Sequence, residues 1–392
     1  MKKMVLAPVI LLLINLQLLS CKQQSEPIKE TSSTVESVQL ENAVTYAEGF
    51  NITSYKDYTI LDITKAFPGS DKVYSYALLN DSNNTQLADS LKNSNRIDQT
   101  LITPIQSIIV TSTTHIPSLE TLGVAQTLVG FPGLDYISSP LSRKRIDQNL
   151  IKEVGYNESL NTELVIELSP DVVVSFGVEG ENKTLNTLQN AKIPVIYNGD
   201  WVETHPLGKA EWIKFFGALY NKAHEADSIF KRIERNYLST KEKAKKIVDK
   251  PTVLSGAMYK DVWYVPNGES WQAKIIDDAG GNYLWSQTAG TGSITMSVEA
   301  VLDEGQDAAF WIAPAQYTSY SKLLSDNKVY GEFDSFKNKR IYTFAKQKGI
   351  KGGVLYYELA PNRPDLVLED LVSILHPEQM PKSSIFFTPL DE

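Results

Sequence analysis

Residues 163–175 read ELVIELSPDVVVS, and residues 299–311 read EAVLDEGQDAAFW. Each stretch opens on a glutamate, carries apolar residues at helical spacing and places an aspartate eight positions on, just before an apolar run. A helix feeding straight into a wholly apolar strand is the joint of a covered, mainly parallel sheet, because such a strand is buried on both faces. Meeting that joint twice predicts an internal repeat, and with it two βα lobes.

Working outward, further short apolar runs read as strands. Ile108 to Val110 leads into a Thr/Ser loop and then a helix-like stretch ending at Gly123, and Val195 to Tyr197 follows the first copy of the repeat. Thr252 to Ser255, Ala308 to Ile312 and Arg340 to Phe344 form a second series. The two series are separated by a helical stretch in which Ala226, Ile229, Ile233 and Tyr237 keep one face apolar. Gly217 and Asn221-Lys222 divide it, and Pro251 stops it. The second of its helices is expected to run about 27 residues and about 40 Å, enough to pass from lobe to lobe. Ahead of the first series, AVTYAEGF, YTILDI and VYSYALL within 44–79 read as short strands, and the polar stretch 80–100 reads as loop. The expected fold is α/β, with two βα lobes joined by a long spine helix and a small β-rich N-terminal extension.

The 392 residues include 47 acidic and 38 basic side chains, a formal charge of −9 that argues against a nucleic-acid-binding surface. A single Cys excludes an intrachain disulfide, a Cys-rich zinc site and an iron–sulfur cluster. That Cys stands at position 21, at the end of an export signal. Lys2 and Lys3 form its charged flank, Val5 to Leu19 its apolar run, and Leu18-Leu19-Ser20-Cys21 a lipoprotein cleavage box. Cleavage would leave Cys21 acylated and remove two lysines, giving 36 basic against 47 acidic groups and a charge of −11. The polar residues 22–38 then act as a leash. The expected organisation is a signal peptide at 1–20, a lipidated tether at 21–43, the extension at 44–104, a first lobe at 105–206, spine helices at 207–250, and a second lobe with the C-terminal segment at 251–392.

In order along the chain, SIIVTSTTHIPSLETLG, LVGF, ELVIELSPDVVVSFG, KIPVIYN, WVETHPLGKAEWIKFFGALYNKAHEAD, DDAGGNYLW and MSVEAVLDEGQDAAFWIAP resemble the class III periplasmic substrate-binding proteins of ABC importers. That family includes ferric-siderophore and vitamin B12 carriers. The likeness spans roughly residues 105–345, and the spine segment is similar notably to versions from the Bacteroidetes group. It implies a ligand that is a metal chelate (ferric siderophore or cobalamin, with haem as the alternative), an ABC permease dimer as partner, a monomeric carrier lipid-anchored on the periplasmic face of the envelope, and no cofactor. It also implies that the exposed glutamates opening the two repeat copies, Glu163 and Glu299, meet basic pockets on the permease.

Ligands of open α/β sheets lie beyond the carboxyl ends of the strands. The loops there nominate Thr113, Thr114, His115, Trp201 and Glu203 in the first lobe, and Trp263, Trp285, Tyr317 and Arg363 in the second. Aromatic walls suit a large amphipathic ligand. Arg143, Arg145, Lys183 and Arg363 could balance an anionic one, and His115 could be an axial ligand if the cargo were haem. The four His residues show no HxH or HExxH spacing, so a bare-metal carrier is not expected. No GxSxG elbow, GxxxxGK[ST] loop or strand-linked GxGxxG is present, and Asp277-Asp278 are adjacent and point apart on a helix. An envelope enzyme is therefore the weaker reading.

Overall fold

The computed structural model describes residues 44–392, apart from positions 81, 83, 95, 158, 178–181 and 381–382. The export signal, the Cys21 lipidation box and the tether at 21–43 lie outside the described residues.

The extension is a four-stranded sheet of β1 (Phe50–Ser54), β2 (Tyr58–Ile63), β3 (Tyr74–Leu79) and β4 (Gln99–Ile102), in that spatial order. β4 lies parallel to β3, so a crossover must join them, and α1 (Thr85–Lys92) supplies it. This corrects the loop expected over 80–100. Asn84 caps the helix by accepting from Leu87 N, and among its described side chains those of Leu87, Ala88 and Leu91 turn inward. The stretch AVTYAEGF is a strand only from Phe50 onward. The sheet has a clear task. The Gln99 side chain accepts from Val195 N at 3.0 Å and the Tyr76 hydroxyl accepts from Tyr197 N at 3.2 Å. Both donors belong to the outer edge of the first lobe, which would otherwise offer open backbone groups.

That lobe runs β5 (Ile108–Val110), α2 (Ile116–Thr121), β6 (Leu128–Phe131), α3 (Pro140–Asp147), β7 (Lys152–Glu153), a small hairpin of β8 (Gly155–Tyr156) and β9 (Ser159–Leu160), α4 (Thr162–Leu168), β10 (Val172–Ser175), α5 (Lys183–Asn190) and β11 (Val195–Tyr197). Its sheet is parallel throughout, in the order β11-β10-β5-β6-β7. Every residue of β5, β10 and β11 is buried, which their unbroken apolar sequences require.

The spine comprises α6 (Pro206–Glu211), α7 (Ile213–Leu219) and α8 (Ala223–Ala244). At 22 residues, α8 is shorter than expected, about 33 Å long, because the chain leaves helical geometry soon after Lys245. A Cβ on Gly217 would sit 2.5 Å from that of Ala226, so glycine lets α7 and α8 pack as a tight pair.

The second lobe contains β12 (Thr252–Ser255), β13 (Ala257–Tyr259), β14 (Val262–Pro266), α9 (Trp271–Asp278), β15 (Asn282–Tyr283), β16 (Ser293–Met296), α10 (Val298–Gly305), β17 (Phe310–Ile312), α11 (Tyr320–Asp326), α12 (Asp334–Lys337), β18 (Ile341–Thr343), α13 (Leu355–Leu359), α14 (Pro364–Leu375) and β19 (Thr388–Pro389). Its main sheet has the order β15-β12-β17-β18-β19, and β13, β14 and β16 form an antiparallel side sheet.

The repeat read from sequence extends to topology. Numbered within each lobe, β11-β10-β5-β6 and β18-β17-β12-β15 are both 4-3-1-2. In each lobe the strand after the glutamate-led helix pairs in parallel with the lobe's first strand, β10 with β5 and β17 with β12. One hydrophobic core runs through the extension, both lobes and the spine.

Candidate functional site

The carboxyl ends of both sheets open onto one cleft. On the first-lobe side, Thr111 to Thr113, Pro132 and Phe176 follow β5, β6 and β10 and line a hollow of about 200 Å³, closed from the second lobe by Gly353 and Tyr357. On the second-lobe side, Ser255 to Tyr259, Tyr264, Ala313, Ala315 to Tyr317 and Phe344 line a hollow of about 560 Å³. The hollows adjoin through a hydrogen bond from Gln316 Nε2 to the Tyr357 hydroxyl at 2.8 Å.

The backbone is strained at this floor. Ala313 (φ 59°) and Ala315 (φ 46°) both take the left-handed conformation on either side of Pro314. A non-glycine residue there costs about 1 kcal/mol or more. The turn is held by Ala313 N donating to Tyr342 O and Tyr317 N to Pro314 O. Nearby, Gly256 has φ +78°, and a Cβ there would meet Tyr264 O at 1.9 Å. Only glycine lets β12 turn into the side sheet that forms the cleft wall.

The lobes are latched beside the cleft. Glu358, on α13 and 3% exposed, accepts from Ser138 N at 2.6 Å and Ser139 N at 2.9 Å at the start of α3. Asn362 donates to Thr114 O at 2.7 Å and accepts from the Ser118 hydroxyl at 2.9 Å. Burial pushes the Glu358 carboxyl up to about 7, aided by the Glu120 charge and opposed by the two N–H bonds. The folded chain therefore holds a proton that the unfolded chain releases near pH 4.5, so this contribution to stability is present at low pH and is lost as pH rises through 7. Between pH 5 and pH 8 the wild type is expected to lose up to about 3 kcal/mol more than Glu358→Gln in chemical denaturation. Parallel pH profiles for the two proteins would refute this assignment.

The residues nominated from sequence fall into three groups. Thr113 and Tyr317 line the cleft. Trp201 lies at the carboxyl end of β11, 41% exposed, with Nε1 donating to Gly177 O. Glu163 and Glu299 are exposed in the first turns of α4 and α10, capped by Asn161 and Ser297. Among the described residues neither glutamate has an ion-pair partner.

The rest line neither hollow. Trp263 is fully buried in β14, stacked on Trp311 with ring centroids 5.3 Å apart and donating to Ser255 O. Trp285 is 4% exposed and donates to Glu304. Thr114 turns its hydroxyl to Asp200 at 2.6 Å. His115 is fully buried against Phe216, and burial holds its pKa low against the pull of Asp200, so it offers no axial ligand to the cleft. Glu203 accepts from Glu48 N, Gly49 N and Trp212 Nε1. Arg363 lies at the start of α14 and pairs with Asp365 at 2.8 Å. Arg143 and Arg145 donate to backbone carbonyls of Leu134, Gln126 and Leu128.

Sequence reasoning missed Tyr136 and Tyr357, 69% and 49% exposed on the cleft wall. Tyr136 follows β6 in the sequence FPGLDY, and the rule about strand ends would have found it. Tyr357 follows Gly352-Gly353, and a Cβ on Gly353 would sit 2.3 Å from Tyr136 O, so that glycine marks the close approach of the lobes. Among the described residues no cluster of three or more His, Cys, Asp or Glu side chains is placed to hold a metal ion. No described helix is long and apolar enough to cross a membrane.

Comparison with known proteins agrees with this architecture. The sequence profile of the periplasmic binding protein family matches residues 108–347. An uncharacterized lipoprotein of Methanocaldococcus jannaschii is 30% identical over 285 residues, covering 70% of this chain and just under two thirds, 66%, of that protein. A periplasmic heme-binding protein of Pseudomonas aeruginosa superposes with a TM-score of 0.56 at 18% identity, over 74% of this chain and 99% of that one. The triscatecholate siderophore-binding protein FeuA of Bacillus subtilis superposes with a TM-score of 0.53 at 16% identity, over 71% and 94%. With its paired 4-3-1-2 sheets on a helical spine, the chain belongs to the periplasmic binding protein family, in its class III form.

Proposed function

We propose that this chain is the substrate-binding component of an ABC importer, capturing a metal chelate of the ferric-siderophore or cobalamin kind and delivering it to a membrane permease. The observation that carries the reading is the cleft between the lobes, where the carboxyl ends of two equivalent sheets converge on tyrosine-rich walls and a strained Ala313–Ala315 turn. Hollows of about 560 and 200 Å³ suit a ligand of chelate size. The Pseudomonas and Bacillus neighbours add to it, since they bind haem and a ferric siderophore. The function is binding, with no turnover step. Thr113 and Tyr317 contact the ligand from opposite walls, with Trp201 at the edge. Cys21 anchors the chain by lipid, a reading supported by its place in the cleavage box and by the lipoprotein name of the Methanocaldococcus relative. Glu163 and Glu299 dock on the permease.

Haem remains the second reading because of the Pseudomonas neighbour's name, without His115 as its axial ligand. Titrating the mature chain with cobalamin, ferric siderophores and haem is expected to quench Trp fluorescence saturably, after correction for ligand absorbance. Absence of binding by all of them, with the fold intact by circular dichroism, would overturn the proposal.

A further inference from the structure

The charge of the cleft narrows the cargo, an inference that rests on the chelate reading above. Among the described residues lining the two hollows, the charged side chains are Lys322 and Asp326, and these pair with each other at 2.8 Å. At the rim, Lys260 lies 5.5 Å from the centre of the Tyr259 ring. The other cations nominated from sequence line neither hollow. Arg143 is 7% exposed and donates to Leu134 O, Arg145 donates to two backbone carbonyls, and Arg363 pairs with Asp365. Lys183 is exposed on α5 and lines neither hollow.

What the walls do offer is neutral. Hydroxyls come from Tyr136, Tyr264 and Tyr357, and an amide from Gln272. Such groups donate to neutral oxygens, but they cannot offset the desolvation of a multiply charged anion. An anionic chelate would enter a cleft of a chain whose own charge is −9, against its field. We propose that the cleft selects a chelate carrying no net negative charge, either a neutral corrinoid or a neutral or cationic ferric hydroxamate, and discriminates against triscatecholates and haem.

Calorimetric titration of the full mature chain tests this with four probes: cyanocobalamin, ferrioxamine B, ferric enterobactin and haemin. Cyanocobalamin or ferrioxamine B is expected to bind at least about 100-fold more tightly than either anionic probe. That affinity should change less than about twofold between roughly 50 and 500 mM NaCl. Introducing a cation by Gln316→Lys, or independently by Ser293→Lys, should raise affinity for ferric enterobactin roughly tenfold or more. Ferric enterobactin or haemin binding the wild type as tightly as cyanocobalamin and ferrioxamine B would overturn the charge assignment and leave the importer reading standing. Failure of all four to bind a folded protein would remove the chelate reading and this inference with it.

Discussion

Glu211→Ala is expected to lower the stability of the chain by about 3–5 kcal/mol, the cost of breaking a buried charged network from one side. Glu211 closes α6 and is completely buried. Its carboxylate accepts from the backbone N–H groups of Thr45, Tyr46 and Ala47, with Tyr46 N at 2.7 Å, and from the Lys214 ammonium at 2.9 Å. Alanine would strip an acceptor from three backbone donors and take one carboxylate away from buried Lys214, which also lies 3.4 Å from the Asp227 carboxylate. Glu211→Gln keeps an oxygen acceptor and should cost roughly half as much. Urea unfolding measures both, and limited proteolysis should show residues 44–49 of the alanine variant cut first. A loss below about 1 kcal/mol for Glu211→Ala would show that the network is replaceable.

The same network explains where the chain enters its folded body. Glu203 holds the next two N–H groups, of Glu48 and Gly49, so five consecutive backbone donors are gripped by two carboxylates on the approach to the spine. The Tyr46 ring stacks on His205, and its hydroxyl donates to Glu234 on α8 at 2.7 Å. A pull on residue 44 would thus reach the spine helices first, the element shared by both lobes.

How much of this was legible varies with the kind of signal. The strands VVVS, IIV and VIY declared themselves because a strand covered on both faces must be apolar at every position. The repeated Glu-to-Asp joint predicted two lobes, and the shared 4-3-1-2 strand order bears that out. Helix α1 stayed hidden because, among its described side chains, three turn inward, too few to set a period. The ligand wall was the least legible part. Trp263 and Trp201 both sit in short polar-flanked segments, yet one stacks in the core and the other is 41% exposed. Local sequence carries no sign of which aromatic finds a partner across the fold. Glu203 misled for a related reason. A glutamate beside a strand end looks like a ligand contact, and its backbone partners, the N–H groups of Glu48 and Gly49, lie more than 150 positions away.

Reversing both repeat glutamates, Glu163→Arg with Glu299→Arg, is expected to abolish stimulation of the permease ATPase while chelate affinity stays unchanged. The geometry separates docking from a purely local role. Each glutamate stands in the first turn of a helix already capped by Asn161 or Ser297, and each is exposed. Locally, a first-turn carboxylate gains only about 0.3–1 kcal/mol from the helix dipole. If that were its whole role, the double variant would melt slightly lower and transport normally. If the two charges meet basic pockets on the two halves of a permease, reversal replaces two attractions with two repulsions. Affinity for the permease should then fall about 100-fold or more, and most steeply at low salt. The spine helix and the core common to both lobes hold the two glutamates on one body, so the pair acts as a two-point register. Each single reversal should therefore give an intermediate loss, with the double variant close to their sum. The decisive measurement is ATPase stimulation of the reconstituted transporter by liganded wild-type and variant chains. Full stimulation by the double variant would assign Glu163 and Glu299 to their local helix-dipole role alone.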